Sequence, residues 1–156
     1  MGLFKTPVSP VSIVVMFACL SVGLMACQPT PPDSRPEVNL PVYTGGDAMA
    51  GQSAYQEYCE QCHKLQAGRN KKGPQLMNVY GNPSALLADY KYSAAMQEAG
   101  WQWDAATLDV YIADPDKALP SGKMLSDPIS DAKIRQDIIA YLSTLRQSAS
   151  AQSTSD

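Results

Sequence analysis

Apolar positions near the end of the chain fall at Ile134, Ile138, Tyr141, Leu142 and Leu145. Steps of three and four put them on one face of a helix over 131–146. Asp131 stands in its first turn and Arg146 in its last, each sign suiting the helix dipole. Gly51, Tyr55 and Tyr58 repeat the same spacing, and they predict a helix over 48–60 with Asp47 as N-cap after the Gly45-Gly46 turn. Leu108, Tyr111 and Ile112 form the stripe of a third helix, capped by Asp104 and stopped at Pro115. Residues 93–99 predict a shorter helix, and Pro83-Ser84 opens a helix-like stretch over 85–87. The polar run 67–74 (AGRNKKGP) turns at Gly73-Pro74, and 116–128 is irregular. No stretch alternates with the period of a strand and no repeat is visible, so the expected class is all-α.

Composition sets the ends apart from this helical centre. The first ten residues carry one base, Lys5, and residues 11–26 are apolar or small with no charge. That is the layout of a secretory signal peptide over 1–26. The alternative is an uncleaved anchor helix, although the run is shorter than the ~20 residues that cross a bilayer. Leu24-Met25-Ala26-Cys27 resembles the bacterial lipobox, with Met25 departing from the usual small or β-branched residue. That resemblance implies an acylated Cys27 at a new N-terminus and a membrane anchor, hence a periplasmic or extracytoplasmic lipoprotein. Prolines at 29, 31, 32, 36 and 41 predict an extended tether over 27–46. Residues 147–156 have no side chain larger than Ala on the apolar side and predict a disordered tail. What remains, 47–146, holds 12 acids against 10 Lys and Arg. It is close to neutral, and nothing points to nucleic acid. Lys64, Arg69, Lys71, Lys72, Lys117 and Lys123 are either a solvated loop surface or a positive rim that steers an acidic partner.

The chemistry sits at the end of the first helix. Cys59-Glu60-Gln61-Cys62-His63 has the C-x-x-C-H form of covalent haem attachment. Residues three apart on a helical turn can reach the two vinyl groups on one macrocycle edge, and the next residue sends an imidazole to the iron. A thioredoxin-like redox pair needs a β-α-β setting, which is missing. Structural zinc needs four protein ligands, and 47–146 offers Cys59, Cys62 and His63 alone. A plain disulfide leaves the adjoining His unexplained. A haem also answers a second problem: the apolar inventory is thin for a 100-residue core, and a buried macrocycle would fill it. His63 is the one histidine of the chain, so bis-histidine ligation within one molecule is excluded. The sixth iron position then falls to Met, to a weaker ligand or to nothing. Met49 shares the first helix with the motif, and Met77 and Met96 suit core filling. Met124 lies in the Pro120-Ser121-Gly122-Lys123-Met124 loop, which can present a thioether from the opposite side.

These features together resemble the class I cytochromes c of the mitochondrial type and their bacterial relatives, over about residues 47–146. In that family a Gly and an aromatic on the first helix, here Gly51 and Tyr55, pack against an aromatic on the last helix, here Tyr141. Gly73-Pro74-Gln75-Leu76 matches its Gly-Pro-x-Leu, where the Pro carbonyl orients the proximal histidine. Tyr92 and Trp103 match residues near a haem propionate, and Tyr111 a hydroxyl beside the Met sulfur. The run from Asp114 to Met124 follows the family's Met-ligand segment, and no gap is needed from Pro74 onward. Two positions depart: Asn82 stands where an Arg near a propionate is common, and Met96 where an Asn is. The resemblance implies the class I fold around one covalent haem c, with His63 and Met124 as axial ligands. It implies a non-enzymatic one-electron carrier between a redox donor and acceptor in an extracytoplasmic chain. The alternatives are a haem subunit of a larger oxidoreductase, or a haem peroxidase or sensor if Met124 is labile.

Overall fold

Each helix begins at a side chain that can accept from its free amides. The computed structural model describes residues 35–146 together with Met1 and Gly2. Asp47 accepts from the amides of Met49 and Ala50 and opens α1, Ala48–Tyr58. Ser93 caps α2, Ala94–Glu98, and Asp104 caps α3, Ala105–Ala113. Asp114 then ends α3 and caps α4, Pro115–Ala118, with Pro115 at the helix start, where its missing amide costs nothing. Asp131 caps α5, Ala132–Thr144. Among the described residues there is no strand, only an isolated bridge between Pro83 and Gln102. The class is all-α, and none of these helices is long and apolar enough to cross a membrane.

Three expectations change. Residues 85–87 are not helical. Ala85 has φ of 55°, and the chain just ahead of it, 81–84, pairs sideways with 101–103, Trp101 O taking the amide of Ser84 at 2.7 Å, so no helix starts there. Pro115 does end α3, but it also starts α4, so 116–128 is less irregular than its composition suggests. Tyr58 does not share the buried face of α1 with Gly51 and Tyr55; it is 42% exposed.

α1 and α5 form the most extensive helix pair of the described residues. Gly51 makes it possible, because a Cβ there would overlap the backbone carbonyl of Asp137 and the Tyr141 Cβ. Tyr55 and Tyr141 meet with ring centroids 5.9 Å apart. Leu108 and Ile112 from α3 and Ile138 and Leu142 from α5 are buried in one cluster, and the same four side chains face an internal cavity. The apolar residues are therefore a shell and not a solid core, as the thin inventory suggested. Residues 35–46, expected as tether, lie against this shell. The amide of Tyr43 donates to Ser143 Oγ at 2.9 Å, and Tyr43 Oη bonds Gln136. Residues 3–34, which hold most of the signal sequence, Cys27 and the first part of the tether, lie outside the described residues, as does the tail 147–156.

Candidate functional site

The last turn of α1 runs directly into the motif. Cys59 accepts from the amides of Cys62 and His63 at 3.0 and 2.9 Å, a tight turn that turns both cysteines and the imidazole toward the cavity. That cavity measures about 510 Å³, within the ~300–1,000 Å³ usual for a buried ligand. Every site residue expected from 47–146 lines it: Cys59, Cys62, His63 and Pro74 on one stretch, Tyr92, Trp103, Tyr111 and Met124 on the other. Cys27 alone falls outside the described residues.

The state of these groups follows from their surroundings. His63 Nδ1 lies 2.7 Å from Pro74 O. A carbonyl can only accept, so the proton is on Nδ1 and the lone pair of Nε2 is left for a metal. Burial lowers the His63 pKa, and the Pro74 bond opposes this only in part, so the imidazole stays neutral. Burial first, and then the Cys62 charge, pushes the Cys59 thiol up to about 12. A thiol so protonated suits an uncharged thioether and disfavours thiolate ligation of a bare metal. The two cysteines are not joined to each other, and no cluster of metal-ligating side chains occurs among the described residues. Tyr111, with its pKa pushed up to about 12 by burial and the Tyr90 and Asp116 charges, keeps its hydroxyl proton. Its ring lies tilted against Trp103 at 5.3 Å and edge-on to Trp101 at 5.7 Å, centroid to centroid. The mostly apolar walls, two thiols on one edge and a free imidazole nitrogen fit a haem.

Of the methionines weighed, Met49 is 76% exposed on α1 and does not line the cavity. Met124 and Met96 both line it. Met96 is buried within α2, whereas Met124 is carried by the loop after α4. There Ser121 adopts φ of 65° and Gly122 N closes a turn onto Leu119 O at 2.9 Å. Residues that sequence reasoning did not assign also reach the site. Tyr90 lines it and anchors its hydroxyl on Lys72 O at 2.7 Å. Lys72 and Lys123, two of the basic cluster, line it as well. So does Arg35, which the prolines around it had assigned to the tether. The signal that could have found it was the missing Arg at position 82.

Residues 48–146 match the family described as Cytochrome c. The cytochrome c of Euglena viridis is 39% identical over 101 residues, covering 65% of this chain and 99% of that protein. "Cytochrome c-type cyt cy" of Rhodobacter capsulatus is 37% identical over 105 residues, or 67% of this chain. The match spans about half, 52%, of that relative's own length. Among solved structures, cytochrome cH from Methylobacterium extorquens superimposes with a TM-score of 0.59 at 43% identity, covering 64% of this chain and 99% of that one.

Proposed function

The chain belongs to the cytochrome c family, and from that premise we propose that it is a six-coordinate His63/Met124 electron carrier held at a membrane outside the cytoplasm. Its fold is the all-α class I fold and its cofactor is one covalently attached haem c. Such a haem supplies a one-electron iron couple. Cys59 and Cys62 would hold its edge as thioethers. His63 would offer Nε2 to the iron, with its tautomer held by Pro74 O. Met124 would bring a soft sulfur to the other axial position, a pairing that raises the reduction potential. With both positions taken, no iron site is left for substrate, which favours electron exchange over chemistry. Tyr92, Trp103 and Tyr111 would line the pocket and keep water from it.

The observation that carries the reading is that Cys59, Cys62, His63 and Met124 meet on a single cavity, with His63 Nδ1 already engaged by Pro74. For the location, the support is the uncharged run 11–26 followed by Cys27, which would carry the acyl anchor. The axial assignment is tested by the weak far-red band of a Met sulfur on ferric haem. The purified protein should show it, Met96→Ala should retain it and Met124→Ala should lose it. A band that survives in Met124→Ala sinks the assignment.

A further inference from the structure

Residues 35–46 lie ahead of the matched family region 48–146, yet they are fastened to the domain along their length. Arg35 is 6% exposed and lines the haem cavity, and its guanidinium donates to Met77 O and, at 3.0 Å, to Gln75 O. Asn82 Nδ2 donates to Pro36 O at 3.2 Å. Val38 lies on Gly81, where a Cβ would overlap its side chain, and its carbonyl accepts from Arg146 Nη1 at 3.4 Å. Further on, Leu40 and Tyr43 pack against the apolar cluster, and the Tyr43 amide donates to Ser143 Oγ at 2.9 Å. The segment thus runs from the cavity wall to α5 before the chain turns into α1.

These contacts move the point at which a tether ends. Counted to Asp47, the chain from Cys27 has twenty residue steps and a reach of up to ~70 Å. Counted to Arg35, it has eight steps and a reach of at most ~28 Å in any conformation. A domain of about 100 residues has a radius of gyration of roughly 13 Å, which makes it roughly 34 Å across. The shorter reach is less than the domain's own width. A domain leashed at its cavity wall by so short a chain has no room to place its bulk between that wall and the anchor. The same bound holds if the apolar run 11–26 stays as an anchor helix, since that run ends next to Cys27.

We propose that residues 35–46 form a docked strap that brings the tether out at the haem pocket, so that the anchor keeps the Arg35 side of the pocket turned to the membrane. The proposal rests on the anchored-carrier reading above. It suits a redox partner embedded in the same membrane, which meets the pocket at the surface to which the strap confines it.

The test uses full-length holoprotein on phosphatidylcholine vesicles that carry a headgroup fluorophore, with the haem as quencher. An insert of about twelve Gly and Ser residues, with a reach of ~19 Å, is placed at one of two points. Between Ser34 and Arg35 it should weaken the quenching, because it lengthens the leash. Between Pro41 and Val42, both exposed, it should leave the quenching at the parent level, because the contacts of residues 35–38 stand ahead of it. Equal loss at both points overturns the strap, and no loss at either overturns the orientation it is held to impose. If the second insertion does not accumulate, amide hydrogen exchange of the parent decides. A protected Tyr43 amide supports the strap, and exchange at the rate of an open chain overturns it. A parent that does not bind vesicles strikes the anchor reading instead. A maleimide lipid coupled to Cys27 of a Cys19→Ser protein then runs the same comparison, since haem attachment occupies Cys59 and Cys62.

Discussion

His63 is held from several directions at once. Its amide donates to Cys59 O at 2.9 Å, its carbonyl accepts from Tyr55 Oη at 3.0 Å, and Nδ1 donates to Pro74 O at 2.7 Å. Tyr55 therefore does two things, packing on Tyr141 through its ring and fixing the ligand's backbone through its hydroxyl. The imidazole also lies directly on Gly73, where a Cβ would overlap the ring. Gly73→Ala should therefore push the ring off its position. We expect a loss of about 1–3 kcal/mol, the usual scale of overpacking, with a shifted Soret spectrum and a lower yield of covalent haem. Denaturant titration and the absorption spectrum check it, and a variant with the parent spectrum and stability would refute the close approach. At this scale the motif was fully legible, because Cys59 to His63 are neighbours in the chain. The Tyr55 hydroxyl bond was not, since eight residues separate donor and acceptor and only the turn after α1 brings them together.

Asp137 sets the relation between α1 and α5. Its carboxylate accepts from the Asp47 amide at 2.8 Å and from Lys133 Nζ at 2.7 Å, and it stands at the N-terminus of α1, where negative charge is favoured. The Lys133 bond first, and then the Asp47 amide, hold its pKa below the usual carboxylate value. A depressed folded pKa contributes stability that is complete above the unfolded value, near ~3.9, and is lost as pH falls through the folded value. Asp137→Asn should accordingly be less stable than the parent at pH 7, and the gap should narrow below about pH 4. Urea titrations at pH 7 and at pH 3 measure it; a gap that stays constant refutes the linkage. The Lys133 half of the pair is mostly exposed and adds little by itself. Periodicity and capping residues announced α1, α2, α3 and α5; Asp47 and Asp104 cap their helices as expected, whereas Ser93 and Asp131, expected within the first turn, stand one residue ahead as the caps. The segment 85–87 failed the same reasoning because the amide of Ser84, just ahead of it, is claimed by Trp101 far along the chain, and no local rule registers that.

For the molecule as a whole, the described domain forms a shell around a space for its cofactor, and its N-terminal approach is part of that shell. The reading of Cys27 as an acylated anchor belongs to this scale, because it decides whether the carrier is bound or free. Acyl labelling of the parent should be abolished in Cys27→Ser, which should then fractionate as a soluble protein with an unchanged haem spectrum. A parent that takes no label favours an uncleaved anchor helix. The sequence alone determined the haem, since attachment is written in five consecutive residues. It determined that no second histidine could serve, since His63 has no other in the chain, and it marked the main helices, whose apolar spacing is a local property. Tertiary structure decided the rest: which methionines reach the cavity, that Tyr58 stays exposed at its edge, and that Arg35 leaves its proline-rich surroundings to enter the pocket. Those outcomes depend on contacts between residues some forty or more positions apart, such as Arg35 with Gln75 and Met77. Such contacts join segments that only the fold brings together, and no periodicity or short motif encodes them.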